Sequence, residues 1–309
     1  MATEYRSAEF PLDSTFQPQD QGFVRDAMLN DPTVLNSFVT AKVNENLLSN
    51  KIFNTTTVTG GVMIYTQILH PLHLEETSYR SAFVEPGGEF PEIDQALTSE
   101  EFTRVRTFGG RVAITDEAIK RNDTELLGKE LVRLSNMMVR DMDQDAVAAF
   151  HRAIEKLDPE YKTATEVASV GWNSATKTKA ADKVPATSIE NDLEELLLRI
   201  NEIDLGYNYS TLLVSPKREK DIRLAVGASN VQSFLGQYGF TIERSQFVSD
   251  TEAWLLAPQQ LGTMGVETPI TTTPWRDEAH RTNHTHTYAT VGHAITDPLA
   301  MLHLTGIDK

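Results

Sequence analysis

Four histidines near the C-terminus, His280, His284, His286 and His293, form the one cluster in the sequence with metal-ligand character. On a strand, His284 and His286 would leave the same face, within reach of a single zinc or nickel ion. A two-residue spacing is a weak signal, and no carboxylate stands at a fixed spacing to orient the rings, although Asp277 and Glu278 are close in sequence. His280, His284 and His286 therefore read as polar strand residues or subunit contacts, and no metal is expected. A second candidate is Glu85-Pro86-Gly87-Gly88-Glu89-Phe90-Pro91-Glu92. Its glycines do not open a helix, as a phosphate-binding loop requires, and its carboxylates would repel phosphate. A hairpin tip fits better, with Glu85, Glu89 and Glu92 meeting basic residues of a neighbouring copy; Arg104, Arg106 and Arg111 are the nearest such residues in sequence. Reversing the charge at Glu85 and Glu89 is expected to block assembly without unfolding the monomer, which sedimentation and thermal melts would read out.

Asp141, Asp143 and Asp145 look like a catalytic acid set until they are placed on a helix, where residues two apart diverge by ~200°. They read as a solvated face or as ion pairs between subunits. Nucleophile-elbow, zincin and Walker patterns are missing from the sequence, so no catalytic residue and no cofactor site are assigned.

The elements that would carry these residues are easier to argue. After Asn122, Asp123 and Thr124, which can accept bonds from orphan N–H groups, apolar residues recur in steps of three and four: Leu127, Leu131, Leu134, Met138, Met142, Ala146, Phe150, Ala153 and Leu157. Lys129, Arg133, Arg140, Asp141, Asp145, Arg152 and Glu155 are expected on the opposite, solvated face. Asp158-Pro159 ends the run. Residues 124–157 would span about 50 Å, longer than an ordinary compact domain is wide.

Upstream, Pro32 opens a second helix with Val34, Leu35, Phe38, Val39, Val43 and Leu47 as its stripe, ending near Ser49-Asn50. Residues 58–65 read as one strand interrupted by Gly60-Gly61, and residues 67–108 as a long projecting hairpin. Residues 158–187 read as an irregular surface excursion. A capping box at Thr187–Glu190 starts a helix with Leu193, Leu196, Leu197, Ile200 and Ile203 before Gly206. A short strand at 211–215 leads through Pro216 into a helix ended by Gly227. Further strands are expected at 240–243, 253–257, 288–294 and 300–304, so the fold class is α+β.

A formal charge of −16 opposes tight wrapping of nucleic acid, and zero cysteines exclude disulfides and thiolate metal sites. Signal-like and membrane-length apolar runs are both missing, and the reading is of a soluble chain.

The ordered set of parts resembles the major capsid protein of tailed double-stranded DNA bacteriophages, the Hong-Kong-ninety-seven type fold. It comprises an arm, the Gly60-Gly61 strand, the Pro/Gly-rich hairpin and Gly109-Gly110-Arg111-Val112-Ala113-Ile114-Thr115-Asp116-Glu117-Ala118 before the long helix. Asp204-Leu205-Gly206-Tyr207 and the closing Ala294-Ile295-Thr296-Asp297-Pro298-Leu299-Ala300 complete it. The likeness covers roughly residues 56–307 and looks closest to capsid proteins of phages infecting actinobacteria.

It implies an N-terminal arm at 1–57 and a strand with an extended loop at 58–110. A peripheral domain would follow at 111–187 with its spine helix at 124–157, then an axial domain at 188–295 and a C-terminal strand and tail at 296–309. It further implies pentamers and hexamers in an icosahedral shell around double-stranded DNA, assembled in the host bacterial cytoplasm as a virion capsid. Scaffold, portal and decoration proteins are the other partners it implies, with no membrane and no catalysis. An encapsulin-like compartment shell and a metal-dependent enzyme built on the histidines are the alternatives.

Some members of the family weld subunits through an isopeptide bond from a loop Lys. Residues 52–119 contain no Lys, so mature particles are expected to show no covalent ladder from this loop on denaturing gels. Only about fifty residues precede the fold, and they lack heptads, so a separate scaffold and no large cleavage are expected.

Overall fold

The computed structural model describes residues 32–69, 84, 86–90, 97–120, 124–172 and 186–308. The described elements run α1 Pro32–Asn46, α2 Ser49–Ile52, β1 Asn54–Thr57, β2 Val62–Leu69, β3 Leu97–Arg104, β4 Arg106–Thr115, α3 Asp116–Lys120 and α4 Thr124–Glu155. Then come α5 Pro159–Thr165, β5 Glu166–Ala168, α6 Ala186–Ile203, β6 Thr211–Val214, α7 Pro216–Val226 and α8 Val231–Gln237. The chain closes with β7 Thr241–Arg244, β8 Glu252–Leu256, β9 Gly262–Asp277, β10 Thr282–Ile295 and β11 Met301–Thr305. Among the described residues, no helix is long and apolar enough to cross a membrane.

The spine helix α4 is 32 residues long, about 48 Å at 1.5 Å per residue. Its stripe from Leu131 to Ala153 is buried, with Leu157 just beyond it, and Leu131 and Phe150 are fully enclosed. The side chains of Asn122, Asp123 and Leu127 lie outside the described residues. The stripe faces β4, where Val112 and Ile114 are buried while Arg111, Ala113 and Thr115 are exposed, the alternation of a half-buried strand. Helix α1 packs on the same core through Leu35, Phe38, Val39 and Val43, followed by Leu47, Leu48, Ile52 and Phe53. The residues leading out of the N-terminal arm are thus seated on the spine.

Three sheets organise the rest. One has strand order β1-β9-β10-β4, a second β5-β11-β8-β6-β7, and β2 and β3 form a two-stranded third. In the second sheet every residue of β6 and β8 is buried. Helix α7 begins as its Ser215-Pro216 start predicts: the Ser215 hydroxyl accepts from the Arg218 N–H, and Gly227 ends the helix at φ 93°. The two outlying motifs of the sequence meet here, since the Tyr207 hydroxyl donates to Asp297. Asp297 in turn accepts from the Leu299 N–H at 3.2 Å and caps the turn before β11.

Several expectations need correcting. Residues 58–65 are not one strand: Gly60 and Gly61 take φ of 90° and 76°, and the turn separates β1, which ends at Thr57, from β2, which begins at Val62 in a different sheet. Residues 159–172 are not an irregular excursion, because α5 and β5 bury Tyr161, Val167 and Trp172; residues 173–185 and the Thr187 side chain lie outside the described residues. Strand β10 starts at Thr282 rather than near 288, and β9 was not anticipated, because Pro269 and Pro274 argue against a central strand. Both prolines lie beyond Val266, where the neighbouring strand β1 has ended. That side of β9 is an edge, and a missing N–H costs no ladder bond there.

The β4–β10 contact leaves no room at Gly109. A Cβ there would lie 2.4 Å from the Thr287 carbonyl oxygen and 2.8 Å from Tyr288 Cα, both rigid backbone. Gly109→Val is expected to destabilise by about 1–3 kcal/mol through overpacking, measured by urea unfolding.

Candidate assembly interface

The β2–β3 hairpin is built from antiparallel pairs running from Val62 opposite Arg104 to Leu69 opposite Leu97. An isolated two-stranded ribbon is marginal in water, so its uncovered apolar groups are informative. Ile64 is 76% exposed and its cross-strand partner Phe102 64%. Between these strands in sequence, Pro86 and Gly87 make a turn with Gly87 at φ 88°, and Phe90 is 82% exposed. Glu89 is exposed; Glu85 and Glu92 lie outside the described residues.

Where the hairpin meets the spine helix, a cavity of about 320 Å³ opens. Its basic residues are Arg104 and Arg106 from the strands and Arg152 and Lys156 from the end of the spine, and Ala149, Ala153 and Ile295 line it as well. Arg106 and Arg152 approach Asp145 at 3.4 and 3.7 Å, and Lys156 pairs with Glu101 at 2.5 Å. Among the described residues, Arg104 has no carboxylate partner within ion-pair distance.

Asp145 is therefore not on a solvated face, as its place among the helix acids implied. It is 7% exposed, and its second oxygen lies 3.0 Å from His293 Nδ1. Burial alone would raise this carboxyl, but the His293 hydrogen bond and charge, with Arg152 and Arg106, hold it below the usual range. His293 Nε2 meets the Ser49 hydroxyl at 3.0 Å, so the chain Asp145–His293–Ser49 ties α4, β10 and α2 together. Ser49 and His293 are 0% and 2% exposed, and the group is a structural tie with no access for a substrate to the hydroxyl. The signal was present in the sequence: Leu131, Met138, Asp145 and Arg152 recur every seven residues, which returns a helix to nearly the same face.

Asp143 also points inward, accepting from the Leu48 N–H at 3.1 Å. Burial pushes its carboxyl up to about 7, against the opposing pull of the Leu48 and Ser49 amides and Lys51. Asp141 is exposed. Farther along the helix, Glu252 on β8 lies 3.2 Å from His151 and 2.9 Å from His303, whose ring stacks on Trp254 at 4.1 Å. Burial would raise Glu252, but the two histidine bonds and the Ser249 N–H hold it well below its usual range. The bond to Glu252 raises His151.

The other candidates are dispersed. His280 is exposed in the β9–β10 turn and bonds Asp277 at 2.7 Å. His284 is buried and stacks on Trp275 at 4.3 Å, while His286 lies beside Tyr288 with rings 5.9 Å apart. Among the described residues, no group of three His, Cys, Asp or Glu is arranged to hold a metal ion. Arg111 lies opposite His286 on β10, on the sheet face turned away from the spine helix, and so apart from Arg104 and Arg106.

A long spine beneath a sheet and a projecting ribbon are the parts of a building element. The family model described as phage capsid protein matches residues 98–304. The chain belongs to the phage capsid protein family. Its fold is that of the Hong-Kong-ninety-seven type capsids. The capsid of cyanophage P-SCSP1u is similar at a TM-score of 0.59 and 11% identity, covering 85% of this chain and 89% of that one. A virus-like particle from Pyrococcus furiosus gives 0.58 and 14%, covering 89% and 99%. Mycobacterium phage Bobi gives 0.52 and 12%, covering 85% and 89%. No curated protein matches the chain at a significant level. The capsid protein is thus a structural shell subunit that forms oligomers, and family and fold imply a role in the virion without catalysis.

Proposed function

We propose that the capsid protein assembles as pentamers and hexamers into a closed icosahedral shell around double-stranded DNA, in the host cytoplasm, with scaffold, portal and decoration proteins as further partners. The observation that carries this is the uncovered β2–β3 ribbon, with Ile64, Phe102 and Phe90 all solvent-facing. Such a ribbon is ordered at the expense of chain entropy, which a neighbour's surface offsets. In this reading residues 58–110 are the extended loop, residues 111–187 form a peripheral unit on the spine helix, and residues 188–295 form an axial unit. The arm precedes them, and residues 296–309 close the chain. Glu85, Glu89 and Glu92 make contacts between subunits with Arg104, Arg106 and Arg111. The net charge of −16 fits an enclosing role, since a wall without strong counterion release leaves packed DNA mobile.

Sedimentation followed by negative-stain electron microscopy of the chain, expressed alone and with its neighbouring genes, tests the proposal. Closed polyhedra or five- and six-membered rings are expected. Only monomers or small oligomers under both conditions would overturn it, and shells filled with an enzyme in place of DNA would move the reading to a cellular compartment.

A further inference from the structure

The tie formed by Asp145, His293 and Ser49 also has the order and spacing of an activated hydroxyl. An ionised carboxylate only accepts, so the contact of 3.0 Å to Asp145 puts the ring proton of His293 on Nδ1. That leaves the Nε2 lone pair facing the Ser49 hydroxyl, also at 3.0 Å, as the acceptor of its proton. An acid that fixes the tautomer of a base, with the base holding a hydroxyl, is the arrangement that makes serine a nucleophile. No outside substrate reaches Ser49, which is 0% exposed. A peptide bond of the chain itself needs no entry, and the Leu48–Ser49 bond ends on the same residue. Its carbonyl is already polarised, because the Lys51 N–H donates to the Leu48 oxygen at 2.9 Å. Leu48 is held as well through its own N–H, which donates to Asp143 at 3.1 Å. Phe53 packs on the His293 ring with centres 5.2 Å apart. The cavity at the hairpin base has Asp145 and His293 in its wall, which gives water a path to the imidazole.

We propose that the chain cuts itself between Leu48 and Ser49, by an acyl shift onto the Ser49 hydroxyl followed by hydrolysis. The Ser49 oxygen attacks the Leu48 carbonyl carbon as His293 Nε2 takes the hydroxyl proton, and the Lys51 N–H stabilises the charge that develops on the carbonyl oxygen. The C–N bond then breaks, the imidazolium gives its proton to the departing nitrogen, and Leu48 is left as an ester on Ser49. One water adds to the ester and splits it, giving a Leu48 carboxylate and restoring the serine hydroxyl, while the freed amine of Ser49 becomes a new N-terminus. Asp145 touches no reacting atom and acts by fixing the His293 tautomer. The reaction runs once per chain, within one chain and on no added substrate, so it suits a shell subunit and does not depend on assembly. After the cut, α1 still keeps Leu35, Phe38, Val39 and Val43 in the core. The product is a nicked subunit whose arm is held by packing alone and can be drawn away without unfolding β1. A cut here replaces the expectation from sequence that no large cleavage occurs.

Purified full-length chain, unassembled and assembled, is incubated over days at neutral pH, with and without hydroxylamine, and its intact mass is read under denaturing conditions. Fragments 1–48 and 49–309 are expected, forming at a rate independent of protein concentration, as an intramolecular step requires. Hydroxylamine attacks esters far faster than peptide bonds, so it is expected to speed the cut and to leave Leu48 as a hydroxamate. Ser49→Ala is expected to slow the cut at least about a hundredfold with melting close to that of the wild type. Ser49→Cys, which keeps a nucleophile in place, is expected to cleave and to form the same hydroxamate. A wild-type chain that stays whole under both conditions would overturn the proposal. So would a cut that Ser49→Ala leaves unchanged, which would mark a contaminating protease. Should Ser49→Ala fail to fold, the hydroxamate decides alone: cleavage of the wild type without it at Leu48 would refute the ester.

Discussion

Asp145→Ala is expected to be the most destabilising single change at the spine, costing about 3–5 kcal/mol, because it leaves a buried histidine and two arginines without their shared anion. The carboxylate is 7% exposed and lies within 3.0–3.7 Å of His293, Arg106 and Arg152. Its loss strands His293 Nδ1 in the core and frees Ser49 to drift from its bond, loosening α2 from the sheet. Arg106 is largely and Arg152 partly exposed, and both recover hydration, so most of the cost falls on the His293 contact. His293→Ala in the Asp145→Ala background is accordingly expected to cost much less than in the wild type, a coupling that a double-mutant cycle by urea denaturation measures. Additive losses would mean that the two groups act independently.

The second large effect is a stability that falls as pH rises towards neutrality. Asp143 is pushed up to about 7 by burial, from an ordinary value of 3.8. The folded state therefore holds a proton that the unfolded chain releases near pH 4, and stability declines with pH between about 4 and 7. That rise corresponds to about 4 kcal/mol at full weight; residual solvent access reduces the observable part to about 2–3 kcal/mol. His151 works in the same direction: its raised folded value contributes stability below about pH 6.5 that is lost as pH climbs past it. Asp145 and Glu252 oppose this only in acid, where their depressed values make stability fall as pH drops below about 4. The maximum is thus expected near pH 4. Asp143→Asn keeps an oxygen to accept from the Leu48 N–H but carries no charge, so it should melt higher than the wild type at pH 8 and lose most of the decline. Thermal melts of monomer at pH 5 and pH 8 decide it, and an unchanged pH profile in the variant would exclude Asp143 as the source.

Both effects arise at residues that the periodic pattern placed on the wrong side. The solvated face assigned to α4 holds for Lys129, Arg133 and Arg140, which are exposed, and fails at Asp145. A hydropathy stripe sorts residues by type and treats any acid as outward-facing. It has no means of recognising an acid that a buried histidine 148 positions away compensates. The same limit applies to the basic residues of the interface. Arg104 and Arg106 were drawn from sequence proximity to the hairpin tip, whereas Arg152 and Lys156 reach the cavity only because the end of the spine helix passes beneath the hairpin base.

What the sequence determined by itself is local and periodic. It includes the spine helix, expected over 124–157 and found over 124–155 with its buried stripe, the Ser215-Pro216 and Gly227 ends of α7, a hairpin, expected over 67–108 and paired from Val62 opposite Arg104, and the order of parts that carries the family resemblance. These follow from interactions within one or two turns of chain, where each residue's neighbours are known. The tertiary structure alone decided the pairing of β1 with β9, of β4 with β10, and the burial of Asp143, Asp145 and His293. Those depend on surfaces about 95–240 residues apart in sequence, where register is set by packing against a shared core and a polar group's fate depends on which partner arrives to satisfy it.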